Sequence, residues 1–268
     1  MSSESKGRSI EIVIETDAAP EKVWAALTEA GHLASWFPLK AWNKGEGVGA
    51  KVGLSWGEGA EWETTVSAWE PGRHVQWKDE PMGEPPAVLA VDFHIEQARG
   101  KTIVRLVHSG FGEGASWDDM YEGTKGGWSY FMKNLAHYLH RHYGTARTMV
   151  SDRRAAGMSY EDTWVQLLGP GGLAIEPPVD QLSEGDAFHA RLGDQSIEGS
   201  VLLSDRPYRF AATLPSLNDS LLFVEMEIGG ESWKCGVWLS AYGMEPARTQ
   251  SLQSALTERA DAVFPASS

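Results

Sequence analysis

The chain of 268 residues has a single cysteine, Cys235, so an internal disulfide is excluded. Within "ESWKCGVWL" that cysteine reads as a small strand residue rather than a nucleophile or zinc ligand. Basic residues are scarce: 23 Lys and Arg stand against 37 Asp and Glu, for a formal charge of −14. Phosphate backbones are held by clustered Lys and Arg, and no such cluster occurs, which argues against nucleic acid as a partner. No apolar stretch approaches the ~20 residues of a membrane span, and the opening "MSSESKGRSI" lacks the apolar core of a secretion signal. The expectation is therefore no membrane partner and a cytoplasmic address. No G-x-x-x-x-G-K-[ST] occurs either, and the acids in "GFGEGASWDDMYEGTKGG" would repel a phosphate, so the sequence predicts no nucleotide and no other cofactor.

Tryptophan, in contrast, is plentiful. Nine of the twelve lie in the first half, at 24, 36, 42, 56, 62, 69, 77, 117 and 128. Large rings give contact area with little conformational freedom to lose, which suits cores and pockets alike.

"IEIVIET" (10–16) alternates as a half-buried strand does, and "DAAPEKVWAALTEAGHLASWF" carries an Asp start signal, an early Pro and helical spacing at Val23, Trp24, Leu27 and Leu33. From Gly49 to His108 one short strand follows another, separated by "GEGA", "EPGR", "GEPP" and "ARG", which predicts antiparallel neighbours. "GWSYFMKNLAHYLHRHYG" then sets Trp128, Phe131, Met132, Leu135, Tyr138 and Leu139 on one helical stripe.

The second half repeats the first. At an offset of 133, residues 89–111 match 222–244 with identities at Leu89/Leu222, Val91/Val224, Ile95/Ile228, Val104/Val237, Leu106/Leu239 and Gly110/Gly243. At an offset of 140, "EKVWAALTEAGHL" matches "EDTWVQLLGPGGL". The reading is a duplicated domain: 1–146, and a degenerate copy at 147–268. Because "ARTMVSDRRAAGM" (146–158) does not alternate as 10–16 does, the copy is expected to lack its first strand or to borrow pairing from the first unit. "NDS" (218–220) reads as a hairpin turn.

The combination of "APEKVWAALTEAGHLASWF", "VSAWEPGRHVQW", "VRLVHSGF" and "GGWSYFMKNLAHYL" resembles the activator-of-heat-shock-ATPase (Aha-type) branch of the SRPBCC superfamily. That superfamily shares its fold with START domains and the birch-pollen allergen. The resemblance implies an α+β protein of two tandem helix-grip units, each a curved antiparallel sheet wrapped around a long C-terminal helix. It also implies a cavity between sheet and helix for a hydrophobic or polycyclic small molecule. Members include self-resistance proteins of enediyne producers, polyketide cyclase-like and hydrolase-like enzymes, and co-chaperones of a heat-shock ATPase. Capture of a natural-product-like ligand is the leading expectation here, with an enzyme or a co-chaperone as alternatives.

Strand alternation places Val91, Phe93 and Ile95 on one face, with Trp62, Thr64 and Val66, and Val75 and Trp77, as equivalent sets. The expected ligand-binding residues are Trp36, Phe37, Trp62, Thr64, Trp77, Val91, Phe93, His108, Phe111, Trp117, Trp128 and Met132. His108 is the one catalytic candidate, with a structural hydrogen bond as the favoured reading; no acid or nucleophile accompanies it at a recognisable spacing. His137 and His140, at i and i+3, suit a helix C-terminus, and no metal is expected. His108–Trp128 reads as a long glycine-rich connection acting as a mobile lid, with Trp117 capping the cavity mouth.

Overall fold

The computed structural model describes residues 7–57, 59–83, 86–227 and 233–264. The chain divides into two compact units, 1–146 and 147–268. Among the described residues no helix is long and apolar enough to cross a membrane.

The first unit opens with β1 (Arg8–Thr16) and two short helices, α1 (Pro20–Thr28) and α2 (Ala30–Trp36). Pro20 fixes the first turn of α1 without any side-chain cap from Ala19. The expected start signal, Asp17, instead binds Lys101 Nζ at 2.6 Å. Then come β2 (Lys40–Lys44), β3 (Lys51–Ser55), β4 (Glu61–Glu70), β5 (His74–Lys78), β6 (Ala90–Ala98) and β7 (Lys101–Phe111). They form one antiparallel sheet in the order β1-β7-β6-β5-β4-β3-β2. The long helix α3 (Ala115–His137) follows and runs into a π-helical turn, Tyr138–His142.

Helix α3 corrects one expectation. The stretch from His108 to Trp128 is no loop: it is the end of β7, a three-residue connection (112–114) and thirteen residues of helix up to Gly127. Glycine costs a helix about 1 kcal/mol per residue, and tertiary contacts override that cost here. Arg8 binds Asp118 at 2.6 Å and lies over the Tyr121 ring, which meets Phe111 edge-on at 5.3 Å. Trp117 is 1% exposed and caps no mouth. Its indole lies so close to Gly83 and Gly112 that a Cβ at either would sit 2.5 Å from the ring.

The second unit comprises β8 (Arg147–Ala155), α4 (Tyr160–Leu168), β9 (Ala187–Leu192), β10 (Gln195–Asp205), β11 (Arg209–Leu214), β12 (Ser220–Met226), β13 (Lys234–Tyr242) and α5 (Pro246–Val263). Its sheet order is β8-β13-β12-β11-β10-β9. Asn218, in the expected turn, is left-handed and joins the antiparallel neighbours β11 and β12.

The first strand is therefore present, against expectation. β8 pairs with β13 along its whole length, but ion pairs rather than apolar alternation hold both of its faces, Asp152 and Arg154 sharing a face with buried Val150 and Arg153 lying on the other. Arg154 Nε binds Asp152 Oδ1 at 2.6 Å and Arg153 binds Glu227. The repeat holds as elements: α1 and α4 coincide at an offset of 140. The hairpins, however, differ in pairing. Val104 faces Ile95, whereas Val237 faces Val224 rather than the counterpart of Ile95. That slip is an even number of residues, so the same faces stay buried. Ile228 lies outside the described residues.

Gly110 and Gly243 match because both end the strand before the last helix at positive φ, +92° and +59°. A Cβ at Gly110 would lie 2.1 Å from the Val88 carbonyl oxygen, whereas at Gly243 the nearest atom is the Asn218 amide at 3.2 Å. Gly110→Ala should therefore destabilise its unit by about 2 kcal/mol or more, and Gly243→Ala by about 1 kcal/mol. Urea unfolding of the full chain checks both.

Candidate functional site

Strand alternation turns Val75 and Trp77, and Val91, Phe93 and Ile95, toward α3, where Trp128 meets Phe93 edge-on at 5.9 Å. Between this face and α3 lies a cavity of about 320 Å³. Of the twelve expected residues, Phe37, Trp62, Thr64, Trp77, Val91, His108 and Trp128 line it. The other five are packed behind the wall. Phe93 and Met132 are completely buried and Phe111 is 1% exposed. Trp36 donates its indole N–H to the Ala26 carbonyl at 2.8 Å, and Trp117 is wedged against Gly83 and Gly112.

The lining also includes Leu54, Trp56, Asp79, Met82, Leu89, Met120 and Thr124, which sequence reasoning did not select. Met120, Thr124 and Trp128 follow at intervals of four and form one face of α3. That spacing was visible, but only to a reader who treated 115–127 as helix. Asp79 and Met82 lie beyond the end of β5, where no periodicity points inward.

Phe37 holds the wall together. Its ring stacks on Trp128 at 4.9 Å and on Trp36 at 5.2 Å, and takes Trp56 and Phe131 edge-on at 5.3 and 4.8 Å. Toward solvent, Trp56, Trp62 and Met120 are 39%, 41% and 39% exposed and form an apolar rim. Trp62 is fixed there by donating its indole N–H to Asp79 at 3.0 Å. A second cavity, of about 360 Å³, lies on the other side of Trp77, with Trp24, Trp69, Glu29, Glu46 and Lys51 among its lining residues.

Residues 17–140, most of the first unit, match the family model of activator of Hsp90 ATPase homolog 1-like proteins. The likeness covers the first unit and stops short of the second. The chain is also similar to the Aha1 dimer of Colwellia psychrerythraea, at 25% identity over 49% of this chain and 96% of that one, TM-score 0.43. It resembles DynU16 from the dynemicin biosynthetic locus (18% identity, 95% and 96% covered, TM-score 0.42) and the di-domain ARO/CYC protein BexL of the BE-7585A pathway (15%, 96% and 96%, 0.44). No curated protein matches the chain in sequence.

Inside the cavity of this Aha1-like unit, the Trp128 indole N–H donates to His108 Nδ1 at 2.9 Å. An indole nitrogen can only donate, so Nδ1 carries no proton and the neutral imidazole carries it on Nε2. Nε2 is buried and has no partner, and the buried Thr64 hydroxyl has none either. Burial alone pushes the His108 pKa down to about 4. The ring is therefore neutral at physiological pH, with one N–H left to offer.

The second unit differs. The space between its sheet and α5, lined by Leu192, Ile197, Leu214, Leu222, Val237, Leu239 and Leu256 among others, is about 20 Å³, room for about one water.

Unfolding exposes His108, so the unfolded chain binds a proton that the folded one refuses between about pH 6.5 and 4. Its contribution to stability is complete above pH 6.5 and declines as pH falls through that window, by at most ~1.4 kcal/mol per pH unit. His108→Gln should flatten this part of the profile. Urea midpoints from pH 4 to 7, followed by tryptophan emission, provide the measurement.

Proposed function

We propose that the first unit captures a small polycyclic aromatic molecule bearing a carbonyl or similar acceptor, as a binding protein of natural-product type. The observation that carries this reading is the combination of an exposed Trp56–Trp62–Met120 rim with a 320 Å³ cavity holding two buried polar atoms that lack partners. Exposed apolar surface around a concavity is where apolar ligands enter, and pockets of about 300–1,000 Å³ hold small molecules. A buried donor without a partner costs about 1–3 kcal/mol, and a ligand acceptor at His108 Nε2 relieves it. Flat walls of Trp56, Trp62, Trp77 and Trp128 favour a flat guest.

The state of His108 favours capture over proton abstraction. Nδ1 is occupied by Trp128 and Nε2 already carries a proton, so neither nitrogen is a free base. A co-chaperone role, which the family description suggests, would act through the surface; the polar atoms inside the cavity favour a small-molecule role.

Tryptophan emission of the full chain should respond saturably to tetracyclic or anthraquinone-type ketones. Thr64→Val should weaken that binding roughly 3–10-fold without lowering Tm, since the hydroxyl it removes has no partner in the protein. Thr124→Trp, which fills the cavity from α3, should abolish it. No saturable response from any such ketone, or an undiminished one in Thr124→Trp, would overturn the reading.

A further inference from the structure

We propose that the outer face of the first unit's sheet holds a divalent transition-metal ion of the zinc class through His74, Asp92 and His94. Asp92 and His94 alternate with Val91 and Phe93, so they point away from the cavity, and the site does not depend on the ligand proposed above. Register sets His74 on β5 directly opposite His94 on β6. Their rings lie parallel, 3° apart in plane, with centroids separated by 4.3 Å. One potential ligand atom from each of the three side chains lies within 4.8 Å of the others. Ligands of a tetrahedral zinc ion, each at about 2.1 Å, are about 3.4 Å apart. Binding would require side-chain rotation to that spacing from separations of up to 4.8 Å.

Two imidazole nitrogens and one carboxylate oxygen suit zinc and its late first-row neighbours, and not the all-oxygen ions Mg²⁺ and Ca²⁺. Three protein ligands leave a position open for water or another donor.

The carboxylate is also oriented from behind. The Gln76 amide donates to Asp92 Oδ1 and Oδ2 at 2.9 and 3.0 Å, while its own Oε1 accepts from Ser67 Oγ at 2.6 Å. Ser67 thereby fixes which end of the amide faces Asp92. Ser67 itself sits at the bulge of β4, between Val66 and Ala68, and bulges re-aim side chains. Partners of this kind, one layer behind the ligands, orient the donors of metal sites. A plain His–Asp hydrogen bond, His74 Nε2 to Asp92 Oδ1 at 2.7 Å, accounts for neither the stacked second imidazole nor the Ser67–Gln76 support.

The site is accessible. The His74 and Asp92 side chains are 18% and 14% exposed, and both histidines border an open groove of about 720 Å³. Glu21, Glu70 and Glu96 line that groove against the single cation Arg73. Arg105, across from His94 on β7, lies 3.9 Å from Glu11.

Calorimetric titration of the full chain with Zn²⁺ and visible spectra with Co²⁺ test the proposal. One equivalent should bind, with Co²⁺ bands of nitrogen and oxygen coordination. His94→Gln and Asp92→Asn should each weaken binding at least tenfold. Gln76→Met keeps all three ligands and should cost about tenfold with Tm unchanged, which guards against loss by misfolding. His140→Gln, in the His-rich turn after α3, should change nothing. Absence of stoichiometric binding below ~100 μM, binding that survives both His94→Gln and Asp92→Asn, or binding lost in His140→Gln would each overturn the assignment.

Discussion

The hydrogen bond from Trp128 to His108 is the constraint on which the rest of the first unit's interior depends. It joins the middle of the long helix to the end of the strand beside the first, where both groups are buried. Because the indole can only donate, the bond selects one imidazole tautomer, and because the ring is buried, it stays neutral. It also sets the plane of Trp128, on which Phe37 stacks and against which Phe93 stands edge-on. Helix and sheet are thus held apart by rings that touch at their edges and faces. Such rings cannot interlock as Leu and Val do, and the space they leave is the cavity.

The second unit is the comparison that supports this account. Its sheet has the same antiparallel path, and its first helix coincides with that of the first unit at an offset of 140. Where the repeat aligns His108 and Trp128, it has Ala241 and Leu252, both buried. With no ring pair to hold the helix off, aliphatic side chains from helix and sheet close to a residual void of about 20 Å³. One copy became a container and the other a filled core, through the size of the groups at the interface rather than through a change of fold.

Much of the fold was legible because it rests on periodicity. Alternation at 10–16 and 89–108, the stripe from Trp128 to Leu139 and the internal repeat all reflect one buried face per element. What misled was composition. The glycines between Gly110 and Gly127 read as a loop, although Trp117, Tyr121 and Asp118 have tertiary partners that stabilise helix there. Likewise β8 forms without an apolar alternation, because ion pairs occupy both of its faces. The cavity wall was half legible, since alternation identifies the inward face but not which inward residues border empty space. Trp36 and Phe93 are inward and fully packed. The outer-face triad was invisible, because its ligands come from two strands and become neighbours only through the β5–β6 register.

The two units also show where the sequence length between the last strand and the last helix went. The alignment has nine more residues between Phe111 and Trp128 than between Met244 and Leu252, which suggests an inserted loop. Yet the connections are equal, residues 112–114 in one unit and 243–245 in the other, and the nine residues divide between strand and helix: Phe111 ends β7 whereas Met244 lies two residues past β13, and Trp128 is the fourteenth residue of α3 whereas Leu252 is the seventh of α5. The added N-terminal turns carry Met120, which lines the cavity one turn before Thr124, and Met120 borders the same opening as the exposed Trp56 and Trp62. A loop in that position would form a gate. A helix, tied to the sheet by Arg8 and Trp117, forms a fixed wall. Under the proposed capture role, the rim would be set before any ligand arrives, and selection among guests would fall to the shape of the opening and to the single N–H of His108 rather than to closure around them.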